Sequence, residues 1–244
     1  MAWILPSWPA PPEVRALSTQ RRGGVSAARF ESLNLGAHVG DNAEAVGENR
    51  RRLCAAARLP EEPVWLSQQH GTNVLDLDGA DDAPAGADAS VTRRHGRICA
   101  ILTADCLPVL LASDSAAGVA AAHAGWRGLA AGVIEATVRA LGLPPESLLA
   151  WLGPAIGPAH FEIGADVREQ LLRADPQAEA AFAQNARGRY MADLATLARR
   201  RLERLGIAQI YGCDACTCAA PEDYFSYRRD GQTGRQATLI WLEK

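Results

Sequence analysis

Three apolar runs of strand length are each broken by a residue that such runs avoid, and this constrains the chain more than any other feature. VWLSQQHGTNV (64–74) leads to His70. ICAILTADCLPVLLAS (98–113) is interrupted by Asp105 and Cys106. GVAAAHAGWRG (118–128) carries small apolar residues up to His123. Burying an unsatisfied imidazole or carboxylate costs on the order of a few kcal/mol. A chain that accepts this three times must satisfy these groups by bringing them to partners or to a ligand.

The surrounding pattern predicts strands over 63–66, 97–103, 107–112, 117–123, 149–152 and 237–242, and helices over 43–57, 128–141, 165–184 and 190–205. In the last of these, Leu194, Leu197, Ala198, Leu202 and Leu205 keep one face apolar. Strands and helices mix without a regular βαβ rhythm, so the expected class is α+β, one domain over 1–244. The stretch DGADDAPAGADA (78–89) reads as a surface loop within that domain.

With 244 residues, 48% of them hydrophobic, a large core forms without disulfides or structural metal. A net charge of −3 gives no electrostatic case for nucleic acid. The N-terminus MAWILPSWPAPPEV lacks the basic and apolar regions of a secretory signal, and no run of about 18 apolar residues exists to span a membrane. A cytoplasmic protein with reduced thiols is expected, and its partners are small molecules.

Two imidazoles and a thiolate suffice for a catalytic zinc, which takes three protein ligands and leaves a position open. The same residues also suit Cys106 as a nucleophile with His123 as its base. Each histidine taken singly could instead be a core residue bonded to backbone. Beyond His123, Gly125 and Gly128 bracket Trp126 and Arg127 where a helix begins. Glycines permit close approach, and Arg127 offers a planar donor fork, so an anion cradle is expected there.

The chain resembles the YfiH-like laccase-domain family, also called polyphenol oxidase or multicopper oxidase family proteins and now regarded as purine nucleoside phosphorylases. The matching blocks are RRGGVS (21–26), SLNLGAHVGDN (32–42), ENR (48–50), SQQHGTNV (67–74), GADASVT (86–92), TADCLPVLL (103–111), HAGWRG (123–128), LGPAIGPAHFEIG (152–164), DACTC (214–218) and FSYRRDGQTGRQA (225–237). They run in order through nearly the whole chain. The resemblance implies Zn2+ held by His70, Cys106 and His123. It implies phosphorolysis of adenosine, inosine, guanosine and methylthioadenosine, with adenosine deamination beside it. It also implies mixed sheets with helices packed outside, and a monomer.

On that resemblance Arg50, Arg127 and Arg228 are candidates for phosphate. Asn34 and Gln69 are candidates for ribose hydroxyls or a base edge, and Phe225 or Tyr227 for stacking on a purine. Asp105 is a candidate proton shuttle or partner of a ligand histidine, against a simpler part in capping a turn. Five histidines are too few for the copper cluster of a true laccase, so zinc is favoured over copper. His38 is expected near the pocket, whereas His95 and His160 are not in comparable settings. Cys54 and Cys99 read as core packing, and Cys213, Cys216 and Cys218 as thiols near the rim of the site. Two rival functions remain: a Cys/His hydrolase that removes misincorporated L-serine from a peptidoglycan precursor, and a zinc-binding module without catalysis.

Overall fold

The computed structural model describes residues 1–79 and 86–243. In chain order the strands are β1 (Trp3–Ile4), β2 (Val14–Thr19), β3 (Val64–Trp65), β4 (Val74–Asp76), β5 (Ala89–Thr92), β6 (Ile98–Thr103), β7 (Leu107–Ser113), β8 (Val119–Ala124), β9 (Leu148–Leu152), β10 (Glu162–Ile163), β11 (Phe182–Gln184), β12 (Tyr190–Ala192), β13 (Gln209–Gly212) and β14 (Gln236–Leu242). The helices are α1 (Ala43–Ala57), α2 (Trp126–Ala131), α3 (Val133–Leu141), α4 (Ala165–Ala174), α5 (Leu194–Arg204) and α6 (Tyr227–Asp230).

Two large sheets stack face to face. One has the order β1-β2-β14-β6-β3, the other β13-β9-β7-β8-β5-β4, and a small third sheet runs β10-β12-β11. Alternation along each strand divides the core into three layers. Cys99, Ile101, Ile240 and Leu242 of the first sheet meet Leu110, Ala112, Ala121 and Trp151 of the second. The opposite face of the first sheet (Ile98, Ala100, Leu239, Trp241) packs on Leu33, Leu35 and Leu53 of the α1 side. The opposite face of the second (Val109, Leu111, Ala120, Ala122) packs on Leu129, Ile134, Val138 and Leu197 of α2, α3 and α5. The result is an α+β sandwich of four layers with helices outside. The central strands are apolar on both faces because both faces are covered, which is why their sequences run apolar without alternating.

Helix α1 has the predicted bounds; Asn42 caps it by accepting the Ala45 N–H. Three predicted helices are corrected. The span 128–141 starts earlier and splits at Gly132, whose φ of 97° only glycine adopts readily. The span 165–184 stops at Ala174, because Asp175 precedes a proline and leaves the helical region. The span 190–205 opens as strand β12, and Asp193 then caps α5 through the Ala195 and Thr196 N–H groups. The expected surface loop at 78–89 also changes at its end. Ala87, Asp88 and Ala89 are buried, while 80–85 lies outside the described residues. Among the described residues no helix is long and apolar enough to cross a membrane.

Candidate active site

The three interrupted runs meet at one rim of the sandwich. Strands β3 and β6 lie in the first sheet, and β4 and β7 in the second. The chain therefore crosses from the first sheet to the second at two places, with His70 between β3 and β4 and Cys106 between β6 and β7. Both crossings turn through left-handed backbone: His70 has φ 60° and Asp105 φ 93°. Such conformations are uncommon in non-glycine residues and persist where the surroundings hold them. His123 comes from the end of β8, where Pro108 pairs with it and Leu107 with Ala124. Continuing that register sets Cys106 opposite Gly125.

That register explains Gly125. A Cβ there would stand 2.8 Å from Cys106 Sγ and 3.0 Å from His70 Cδ2. The glycine makes room for the two side chains of the cluster, and α2 behind it is only six residues long. Gly125→Ala is expected to push both side chains apart. Metal affinity should fall by about 10- to 100-fold, the range for a disturbed ligand shell, as read by competition with a chromogenic chelator. Unchanged affinity would show that the cluster tolerates the methyl.

Asp88 organises the cluster, and sequence reading passed over it. Its carboxylate accepts the backbone N–H groups of Gln69 (3.0 Å), His70 (2.8 Å) and Gly71 (2.7 Å). It also accepts Nδ1 of His123 at 2.8 Å. A single buried carboxylate thus shapes the His70 turn and fixes the His123 tautomer, leaving Nε2 free. Burial opposes the charge on Asp88, but these donors outweigh it and hold the carboxyl below the ordinary aspartate value. A signal was present: GADASVT sets an acid against an apolar strand, as the other runs do.

His70 Nε2 lies 3.7 Å from Cys106 Sγ, and the two imidazole rings meet edge to face at 4.7 Å. Donor atoms of all three residues lie within 4.8 Å of one another. Ligand bonds of about 2.1 and 2.3 Å at a tetrahedral angle put nitrogen and sulfur roughly 3.6 Å apart, so this donor set fits a zinc-like ion. Burial opposes a thiolate at Cys106. The charge and hydrogen bonding of His123, with His70, prevail and lower the thiol to about 6. Burial likewise opposes protonated His123, but Cys106 and Asp88 raise it to about 9.

The cluster opens into a cavity of about 370 Å³, within the range for small-molecule sites. Trp126, Ile156 and Phe161 give it apolar walls, and Arg127, Arg228 and Arg235 give it positive charge. Arg235 was not foreseen; it is half-buried, and its guanidinium donates to the Thr233 and Gly234 carbonyls. Partial burial, and then the charges of Arg235, Arg50 and His123, pull His38 below its usual value, a sign of positive potential near the site.

The other candidates divide. Arg127 lies over the Trp126 ring at the mouth, and exposed Tyr227 and Arg228 line the same opening. Asp105 lines the cavity, yet its carboxylate is committed: Oδ1 accepts Thr217 Oγ1 at 2.6 Å and Oδ2 accepts the Arg228 N–H at 2.7 Å. It ties the Thr217 loop and helix α6 to the Cys106 turn, so the carboxylate that meets His123 is Asp88 and not Asp105. Four candidates are absent from the cavity lining. Asn34 is fully buried, bonded to Asp41, Gly36 and Arg235. Phe225 is fully buried beneath Arg21. Arg50 reaches the Leu35 carbonyl and stacks on Trp65. Gln69 packs against Gly86, while its neighbour Gln68 lines the cavity.

Fold and site together define an α+β protein with a cluster of imidazole and thiol donors that could hold a metal, set in a cationic, aromatic-walled cavity. Residues 15–243 match the family described as multi-copper polyphenol oxidoreductase laccase, and the chain belongs to that family. It is 54% identical over 239 residues to the purine nucleoside phosphorylase YfiH of Escherichia coli K12, covering 98% of each chain. It is 52% identical to purine nucleoside phosphorylase PA4543 of Pseudomonas aeruginosa, covering 99% of each. Its fold is similar to the crystal structure of Neisseria meningitidis protein NMB0706, with TM-score 0.96 and 46% identity over 100% of both chains. YlmD from Geobacillus stearothermophilus is similar at TM-score 0.89 and 32% identity, over 96% of this chain and 94% of that one.

Proposed function

We propose that the chain is a zinc-dependent purine nucleoside phosphorylase. It would cleave the N-glycosidic bond of adenosine, inosine, guanosine and methylthioadenosine with phosphate, and deaminate adenosine as a side activity. It would act as a cytoplasmic monomer. The observation that carries this reading is that one small cavity holds both the His70–Cys106–His123 cluster and three arginines. The names of the relatives from Escherichia coli and Pseudomonas aeruginosa support it.

A zinc ion held by His70, Cys106 and His123 would supply a Lewis acid with one open position. The remaining chemistry falls to the chain. Arg127, Arg228 and Arg235 carry the positive charge that draws a phosphate dianion to the sugar. Trp126, Phe161 and Tyr227 offer faces for the purine.

Inosine supplied with and without phosphate tests this directly. Hypoxanthine release should depend on phosphate and yield ribose 1-phosphate, followed by chromatography. Release of equal rate without phosphate would mean hydrolysis and sink the assignment.

One observation favours a second reading. The opposed shifts of Cys106 and His123 describe a thiolate–imidazolium pair, the form in which cysteine hydrolases act. The substrate there would be a peptidoglycan precursor carrying misplaced L-serine. Hydrolysis of such a precursor that survives exhaustive chelation would favour it over phosphorolysis.

A further inference from the structure

A second thiol–imidazole pair lies outside the cluster. Cys216 Sγ stands 3.6 Å from His160 Nδ1 and accepts the Gly157 N–H at 3.1 Å. Its spacing repeats that of Cys106 and His70. The backbone is cut to fit the sulfur: a Cβ on Gly157 would stand 3.2 Å from it. Cys216 is half-buried and His160 is exposed, so the pair is open to small reagents.

The other cysteines differ. Cys99 is fully buried between the sheets, its thiol pushed up to about 12 by burial. Burial also raises the thiols of Cys54 and Cys213. Cys218 packs against the helix-side core. Apolar surroundings make a thiol inert, whereas an N–H donor and an imidazole favour the reactive thiolate.

The pair is wired to the cavity. Ile156 and Phe161, on either side of its turn, line the cavity wall. Ile156 N–H donates to the Asp105 carbonyl, and Thr217, next to Cys216, donates to the Asp105 carboxylate. Arg228 donates to the carbonyls of His160 and Glu162.

We propose that Cys216 and His160 form a reactive thiol site that takes up small disulfides, and that an adduct there slows turnover by displacing the 156–161 turn. The proton of Sγ passes to His160. The thiolate attacks one sulfur of R–S–S–R, whose S–S bond breaks as the Cys216–S bond forms. The departing R–S⁻ takes the proton from His160. The small disulfide is thereby reduced to one thiol, and Cys216 is oxidised to a mixed disulfide. The effect on turnover rests on the phosphorylase reading; the reactivity does not.

The test treats the zinc-loaded protein with 4,4′-dithiodipyridine and follows each cysteine by peptide mass mapping. Cys216 should react at least about tenfold faster than Cys213 and Cys218, and His160→Phe should slow it about tenfold without changing those two. His160→Gln serves if the phenylalanine variant does not fold. A Cys216 rate no faster than its neighbours, or unmoved by either variant, overturns the site. Inosine phosphorolysis should fall at least about fivefold on modification, and Cys216→Ser should lose that sensitivity. Full modification of Cys216 with unchanged turnover overturns the coupling. Untreated protein without turnover overturns the phosphorylase reading alone, because the adducts are read by mass.

Discussion

Cys106→Ala is expected to remove nucleoside cleavage while leaving the protein folded. The side chain is half-buried, and losing one sulfur costs about 1 kcal/mol of a stability near 5–15 kcal/mol. The consequence at the site is far larger. The thiolate is the only formal negative charge contributed by the three residues of the cluster, and His70 and His123 alone make a weak pair for a soft divalent ion. Bound metal should drop below stoichiometric levels in elemental analysis. kcat/KM for inosine phosphorolysis should fall by on the order of 10³ or more, about 4 kcal/mol of transition-state stabilisation. A folded Cys106→Ala protein that still cleaves inosine at a comparable rate would falsify the assignment. A variant that keeps its metal but loses turnover would shift the role of Cys106 from ligand to nucleophile.

Asp88→Ala should produce the largest loss of stability of any substitution at the site. Its buried carboxylate serves three half-buried backbone N–H groups and one buried imidazole; an orphaned donor costs about 1–3 kcal/mol when fully buried and less where water reaches it. Together these remove a large share of the stability of a typical domain, so the yield of folded protein should fall. Asp88→Asn separates shape from charge. Its amide oxygen still accepts some of these donors, but its NH₂ faces others, and the His123 tautomer is no longer enforced. The variant should fold with a lower melting temperature, and its metal affinity should fall by about 10- to 100-fold. Acid stability gives an independent reading. Because the folded-state value of Asp88 is depressed, its contribution is present above the ordinary aspartate pKa of about 3.9 and is lost as pH falls below it. The asparagine variant should therefore lose less stability between about pH 4 and pH 2 than the parent. Equal acid slopes for the two proteins would show that the folded state does not depress the Asp88 carboxyl.

Much of the sandwich was legible because strands covered on both faces carry unbroken apolar runs. The bounds of α1 were legible because Asn42 supplies a local cap. Strands β2 and β13 were less visible: VRALST and QIYG are short and partly polar. The helix errors had local causes, at Gly132, Asp175 and Asp193, where a single residue overrides the periodicity on either side.

By itself the sequence singled out His70, Cys106, Asp105 and His123, since a polar residue in an apolar run must be satisfied wherever the run is buried. Tertiary structure decided how they are satisfied. Two sheets had to stack before the crossings at His70 and Cys106 met the end of β8. Only that meeting shows Asp88 serving both histidine segments, Asp105 tying distant loops, and Gly125 clearing space for sulfur. The same packing buried Asn34 and Phe225 and brought Arg235 to the cavity. A residue's type and neighbours record what it must hide or bond. The direction it faces depends on segments up to two hundred residues away, and no local pattern contains that.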